Sequence, residues 1–497
     1  MEESNQDLAV TDHFTSEYLQ YYRMLPLELS AGRIRVSVAG EPNREALDDL
    51  AETYHATPEL VPTDADELND AIRRVYAEAE SVVELVKDLS EGTVPNGHGV
   101  PLADAHDLAN QPPVIRFVNL LIREAYETAA SDIHLEATDH GLRVRFRLDG
   151  VLTELAQPPA HLQAAIVSRI KLLAELDIAE RRAPQDGRIR VRLAHRALDL
   201  RVSTVPTLHG ESVVLRLLDR GGGPVTLDAL GLAPQPLASF RQLAERPHGI
   251  VLATGPTGSG KTTTLYAALG LRHPSQEKII TVEDPIEYQL PGITQVPVHS
   301  RAGVTFESAL RSILRQDPDV LMVGEMRDRQ TAAIATQAAM TGHLVFSSLH
   351  TNDAVTALIR LLDLGIESYL IAGTVEGILA QRLVRRVCPE CRVSYEPDSG
   401  IFALLAEAPQ LWKTGSSFVR GAGCAACRHT GYRGRTGLFE LLVVTEELRH
   451  AIAHSPNSAG LRELARKQGM VTLKQDGWAK ARAGITTIEE VFRVAND

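Results

Sequence analysis

The 497-residue sequence holds only four cysteines, no long apolar run and no excess of basic charge. Each shortage excludes something. No stretch approaches the ~18–20 apolar residues that a bilayer-spanning helix needs, so no membrane span is predicted. Lys and Arg total 51 against 64 Asp and Glu, a net charge of −13. That balance argues against non-specific nucleic-acid binding, and with no basic tail a DNA translocase is disfavoured. The leading residues Met1 to Asp7 are acidic and polar, unlike a secretory signal. The chain is therefore expected in the cytosol, reaching a membrane only through a partner.

What is present reads as an ordinary globular chain of about three or four domains. Residues 1–87 form a leading α+β region, with period-two alternation over 33–38 and helical patterns over 45–54 and 66–79. Residues 88–111 carry Gly92, Pro95, Gly97, Gly99 and Pro101, and read as a flexible linker. Residues 112–220 read as an α+β domain. It opens with a helix over 113–130 and continues with an apolar/Arg alternation over 142–148, the turn signal Asp149-Gly150, and strands at 188–193, 198–203 and 212–218. Gly221-Gly222-Gly223-Pro224 looks like a hinge. Over 225–387 the pattern becomes strand–helix, with apolar strands at 249–254, 278–282, 319–323 and 343–348, as in a parallel sheet. Residues 388–430 hold the cysteines. Residues 431–497 read as a helical region.

Gly255-Pro256-Thr257-Gly258-Ser259-Gly260-Lys261-Thr262-Thr263 fits the phosphate-loop pattern G-x-x-x-x-G-K-[ST] at every fixed position. It lies between an apolar strand and a helix, the context the motif needs. The glycines let backbone N–H groups curl toward phosphate oxygens, and the helix N-terminus adds positive dipole. Lys261 supplies counter-charge for the β/γ phosphates, and the Thr262 hydroxyl can ligate Mg²⁺.

Three further segments carry candidate chemistry. Asp319 to Val323 is an apolar strand that ends in Gly324-Glu325, where a carboxylate can polarise water or hold Mg²⁺ through water. Glu283, Asp284 and Glu287 follow another strand, at the edge where parallel sheets bind ligands; a solvated acidic turn is the alternative. His350 directly follows the strand at 343–348, where it can sense a γ-phosphate, whereas His343 precedes it, at the opposite end by sheet geometry. A structural hydrogen-bonding role is the alternative for both.

Cys388-x-x-Cys391 and Cys424-x-x-Cys427 use every cysteine and have 32 residues between them. Two such knuckles in a reducing compartment read as a tetrahedral structural Zn²⁺ site. Redox pairs or free thiols are the rivals, but the strand–helix frame of a redox motif is not evident. Arg188 and Arg201 lie in alternating strands. A guanidinium suits the charge that builds during phosphoryl transfer, yet spacing alone favours a solvated strand face.

Taken together, the chain resembles the secretion-superfamily ATPases, especially the type II secretion motor and the related type IV pilus extension ATPase. The resemblance covers residues ~112–490 and rests on several segments beyond the phosphate loop. They are Ser131 to Glu136, Pro184 to Arg188, Arg201 to Thr204, Leu314 to Asp319, the Gly324-Glu325 pair and the tetracysteine. It implies an α/β RecA-like P-loop ATPase domain preceded by an α+β domain and a small α+β N-terminal domain, with a tetracysteine zinc insertion. By position it implies ATP and Mg²⁺ at Lys261 and Thr262, and Glu325 as catalytic carboxylate. Glu283, Asp284 and Glu287 match an acidic box, and His343 and His350 a histidine box. Arg188 and Arg201 match arginines that reach the γ-phosphate on domain closure. It further implies a homohexamer at the inner face of the bacterial inner membrane, converting ATP hydrolysis into assembly of a pilus-like filament. Residues 1–111 have only a generic likeness to the family's partner-docking domain. Retraction ATPases lack the cysteine knuckles, and conjugation-type relatives usually lack them. Pilus extension remains an alternative, as does a nucleotide-gated scaffold with little turnover.

Overall fold

The structure is a computed structural model that describes residues 14, 16–30, 32–75, 81–91, 109–193, 196–219, 225–299, 302–396 and 418–495. The expected hinge at 221–224 and most of the expected linker lie outside these residues. The chain divides into two compact units, Met1–Gly222 and Gly223–Asp497.

The first unit begins with a three-stranded sheet of β1 (Met24–Ser30), β2 (Arg33–Val38) and β3 (Thr57–Pro62), in the order β1-β2-β3. β1 and β2 are antiparallel and β3 is parallel to β2. The helix Arg44–Tyr54 makes the crossover, and Asn43 caps it by accepting from the Ala46 N–H at 3.1 Å. Ile34, Val36, Leu50, Leu68 and Ile72 form the core.

A six-stranded antiparallel sheet follows: β4 (Asp132–Thr138), β5 (Gly141–Leu148), β6 (Val151–Ala156), β7 (Gln185–Leu193), β8 (Arg196–Thr207) and β9 (Gly210–Asp219), in the order β6-β5-β4-β9-β8-β7. Asp149 and Gly150 both have positive φ, 47° and 86°, as a two-residue hairpin between β5 and β6 requires. One face packs under the helices Pro112–Glu127 and Gln163–Leu173, with Phe117, Leu121, Ile133, Phe146, Ile170 and Leu215 in the core. The helix Val82–Glu91 spans the expected boundary between leading region and linker. Val82, Leu85 and Val86 are buried in this second core, and the Val82 N–H donates to Glu124 at 3.0 Å. An amphipathic helix must bury its apolar stripe, and here the neighbouring domain supplies the surface.

The second unit is built on a seven-stranded sheet. Its strands are β10 (Gly249–Thr254), β11 (Ile279–Glu283), β12 (Thr294–Pro297), β13 (Val320–Val323), β14 (Leu344–Leu349), β15 (Val375–Val387) and β18 (Tyr432–Val443). Between the last two, β16 (Arg392–Tyr395) and β17 (Phe418–Gly421) pair as a small separate ribbon. The order β12-β11-β13-β14-β10-β15-β18 is parallel up to β15, and β18 is antiparallel to it. Both faces are covered, so β10, β11, β13 and β14 are buried at every position.

β18 corrects the reading of 431–497 as a helical region. Leu438, Phe439 and Leu442 are buried in cores on opposite faces of the sheet. A strand covered on both sides shows an apolar run rather than alternation, and such a run does not separate strand from helix. Helices begin only at Glu446 and continue as Glu446–His454, Ser458–Lys467, Leu473–Arg482 and Ile488–Ala495.

Candidate nucleotide site

Parallel strands bring their carboxyl ends to one edge. β10 runs into the phosphate loop, β11 into Asp284, β13 into Glu325 and β14 into His350, so these groups share that edge. Gly255, Gly258 and Gly260 have φ of 150°, 78° and 89°. A Cβ at Gly255 would lie 2.5 Å from the Gln381 carbonyl oxygen, so the loop has no room for another residue there. Gly260 is the N-cap of the helix Lys261–Leu269, and Thr262 lies half-buried in its first turn.

The loop carries the marks of an anion cradle. Lys261 Nζ donates to the Gly255 and Pro256 carbonyls at 2.8 and 3.1 Å, arched over its own loop. Ser259 is buried and its Oγ has no hydrogen-bond partner among the described residues. Burial pushes the Lys261 ammonium down to about 8, the Glu325 charge opposes this, and Arg382 adds to it. An ammonium resting on carbonyls and an unspent buried hydroxyl fit an incoming phosphate chain, the ligand that a P-loop of this geometry holds.

Glu325 is held by a guanidinium and an imidazole. Arg327 Nη2 lies 2.5 Å from its Oε1, and His350 Nε2 lies 3.1 Å from its Oε2. Burial raises this carboxyl, but the bonds from Arg327 and then His350 outweigh it and keep the group below the usual carboxylate range. It is therefore a carboxylate at neutral pH, able to accept a proton from a bound water. A cleft of about 420 Å³ opens beside it, lined by Arg327, His350, Thr351, Asn352, Thr356 and Arg360 among others.

Not all predicted residues converge. Glu283 is buried, and its carboxylate accepts from the Tyr266 hydroxyl, the Thr281 hydroxyl and the Gln295 amide. Both oxygens are spent on protein donors, so the geometry gives Glu283 an anchoring place between β11 and the phosphate-loop helix rather than a catalytic one. Asp284 and Glu287 are exposed beyond the same strand. His343 sits at the amino end of β14, where its carbonyl accepts from Gly249 N–H and its Nδ1 contacts the Ala338 carbonyl at 2.8 Å. β10 therefore runs its whole length between His343 and the phosphate loop, so this histidine is not brought to the nucleotide edge of its own sheet.

Three contributors escaped the sequence reading. Gln381 on β15 donates to the Ser259 carbonyl at 2.7 Å and accepts from Thr264 Oγ1 at 2.8 Å. Arg382 donates to the Asn352 carbonyl at 3.0 Å. Arg327 follows Glu325 by two residues, and a cation at that offset was the one available signal.

In the first unit, Arg188 pairs in register with Arg201, Arg201 with Arg216, and Arg216 with Asp132. Side chains of directly paired residues share a face, so three guanidiniums line up across three strands with one carboxylate beside them. Asp132 accepts from Arg216 at 3.0 Å, and Arg188 is exposed.

The four cysteine sulfurs lie within 4.8 Å of one another. Cys388–Cys424, Cys391–Cys427 and Cys424–Cys427 are separated by 3.9, 3.8 and 3.7 Å. A tetrahedron with Zn–S bonds of ~2.3 Å has edges of ~3.8 Å, so the cluster fits that ion. The N–H groups of Cys424 and Gly431 donate to Cys427 Sγ at 3.2 and 3.3 Å, favouring its thiolate.

Comparison with known proteins agrees with this geometry. Residues 107–493 match the family described as type II/IV secretion system protein. The chain belongs to that family. Residues 2–82 match the MshEN domain. Among curated relatives, the type II secretion system protein HxcR of Pseudomonas aeruginosa is 48% identical over 453 residues, covering 89% of this chain and 91% of the relative. The type II secretion system ATPase E of Vibrio cholerae is 44% identical over 450 residues, covering 90% and 86%. The fold is similar to the pilus retraction motor PilT with bound ADP, at 26% identity and a TM-score of 0.50, covering 76% of this chain and 96% of that one. It is also similar to the Legionella pneumophila ATPase DotB, at 21% identity and a TM-score of 0.57 over 76% and 95%. The second unit is thus the P-loop ATPase core of a secretion-family protein.

Proposed function

We propose that this chain is the ATP-hydrolysing motor of a type II secretion system. The observation that carries the proposal is the meeting of Lys261 and Glu325 at one sheet edge, a phosphate-binding ammonium beside an ionised carboxylate. Lys261 exchanges its loop carbonyls for the β/γ phosphates, and the loop N–H groups between Thr257 and Thr263 orient them. Thr262 would hold Mg²⁺, which neutralises charge on the transferring group. Glu325 takes a proton from the attacking water, and His350 fixes the carboxylate that does so. Asp284 and Glu287 supply further acceptors at the entrance.

The remaining roles follow family position. Arg188 and Arg201 come from the amino domain to meet charge developing on the γ-phosphate. Six copies form a ring at the cytoplasmic face of the inner membrane. Residues 1–87, which include the matched MshEN domain, dock on the cytoplasmic part of an inner-membrane platform protein. No helix of the described residues is long and apolar enough to cross a membrane, so a docking partner supplies the tether. Zn²⁺ on Cys388, Cys391, Cys424 and Cys427 ties the knuckle together. Extension of a type IV pilus is the second reading, and the likeness to a pilus retraction motor supports only a pilus-associated role in general.

A phosphate-release assay with Mg²⁺ tests the enzyme reading directly. Sustained ATP-dependent release is expected. Tight nucleotide binding with no release above background would instead identify a nucleotide-gated scaffold.

A further inference from the structure

The ion pair between Glu325 and Arg327 has a construction of its own. Gly324 N–H donates to the Val282 carbonyl at 2.8 Å, and Ser348 Oγ donates to the Gly324 carbonyl at 2.7 Å. Met326 N–H donates to the Ser348 carbonyl at 3.1 Å, and the Met326 side chain is buried in the core. Asp328 then caps the helix Arg329–Met340 by accepting from Thr331 N–H at 2.8 Å. The backbone is thus clamped on both sides of residue 327. Glu325 and Arg327 flank the buried Met326, so both turn outward from the same anchored segment.

The two members of the pair differ in setting. The Glu325 side chain is 13% exposed, whereas the Arg327 side chain is 65% exposed. A solvated arginine ordinarily contributes little to stability through one ion pair. This one lies 2.5 Å from the carboxylate assigned as base, faces the charge of Asp284 from the end of β11, and lines the cleft beside His350. A guanidinium presents its donors in a fixed planar fork, so it sets the direction of the carboxylate it holds. His350 holds one Glu325 oxygen and Arg327 the other.

We propose that Arg327 is a positioning residue for ATP hydrolysis: it acts through Glu325, fixing one carboxylate oxygen while His350 fixes the other, so that the base faces its water in a single orientation. This inference rests on Glu325 being the base. Because the guanidinium does not need to touch the nucleotide for this role, its loss is felt in turnover and not in substrate binding.

The test is a mutant cycle in the full-length protein, reading steady-state phosphate release and thermal stability. Arg327→Gln is expected to lower kcat about tenfold or more, approaching the ~10²-fold that misplacement of a catalytic group costs. KM for ATP and the melting temperature stay at wild-type values. Arg327→Lys keeps the charge without the fork and recovers part of the rate. In a Glu325→Gln background, Arg327→Gln adds no further loss, because there is no carboxylate left to orient. Arg311→Gln, which removes an exposed helix-surface arginine paired with Glu307, serves as the charge control and leaves kcat unchanged. Wild-type kcat in Arg327→Gln overturns the inference. So does a raised KM at unchanged kcat, which would make Arg327 a nucleotide contact. An additive loss in the Glu325→Gln background, or a lowered melting temperature that Lys does not restore, overturns it as well. Glu325→Gln with wild-type turnover is a separate outcome: it removes the base assignment itself, and the inference falls with it.

Discussion

The Gln381 side chain on β15 donates to the Ser259 carbonyl at 2.7 Å, tying the middle of the phosphate loop to a strand more than a hundred residues away. Its other end accepts from Thr264 Oγ1 on the helix that follows. One buried amide thus braces both sides of the loop. Gln381→Leu leaves the Thr264 hydroxyl buried and unpaired, which costs about 1–3 kcal/mol. Nucleotide affinity should fall with stability. A titration with fluorescent ATP analogue and a thermal melt check this; unchanged affinity would show that the loop holds its shape without the brace.

Zinc is the next test. Metal analysis of protein purified without chelator should give one Zn²⁺ per chain. Structural zinc is bound with ~10–16 kcal/mol coupled to folding, so Cys388→Ser should loosen the knuckle and its small ribbon β16–β17. The phosphate loop should still bind nucleotide. Absence of zinc would leave the 3.7–3.9 Å sulfur spacing to be explained by thiol hydrogen bonds alone.

The arginine row separates charge stabilisation from folding. Arg188→Ala and Arg201→Ala should cut turnover far more than nucleotide affinity. Arg143 makes the comparison, because it pairs with Glu136 at 2.8 Å on the same sheet and has no assigned role at the phosphate. Equal losses at all three positions would indicate general damage to the sheet.

Acid stability follows from Glu490. This buried carboxylate lies 2.6 Å from Arg385 on β15 and 2.8 Å from Arg493. Burial raises it, but the bonds from Arg493 and Arg385 prevail and bring it down to about 2, from an ordinary value of 4.5. The folded pKa is the lower one, so the stabilisation is complete above 4.5 and drains away as pH falls toward 2. Melting temperature measured across that window should fall more steeply for the wild type than for Glu490→Gln. Parallel curves would place the acid sensitivity elsewhere.

How much of this was readable in the sequence depended on what fixes each residue. The phosphate loop was readable because only glycine tolerates φ of 78° or 89° and only one spacing cradles phosphate, so chemistry dictates the letters. His350 and Glu325 were readable because each lies within two residues of the end of an apolar strand, and parallel strands share an edge. Glu283 obeys the same rule yet turns toward Tyr266, since its final side chain points to the face carrying the phosphate-loop helix. Gln381 and Arg382 gave no signal: they arrive from β15 through tertiary pairing alone. β18 was misread because burial on both faces erases the period of two.

The central claim is that this chain hydrolyses ATP with Lys261 binding and Glu325 activating water. The most direct measurement sets Lys261→Ala beside Glu325→Gln, reading nucleotide affinity and phosphate release on each. Lys261→Ala should lose affinity through removal of the β/γ counter-charge. Glu325→Gln should bind ATP nearly as the wild type does while turnover drops ~10²–10⁴-fold. Wild-type turnover in Glu325→Gln would contradict the account.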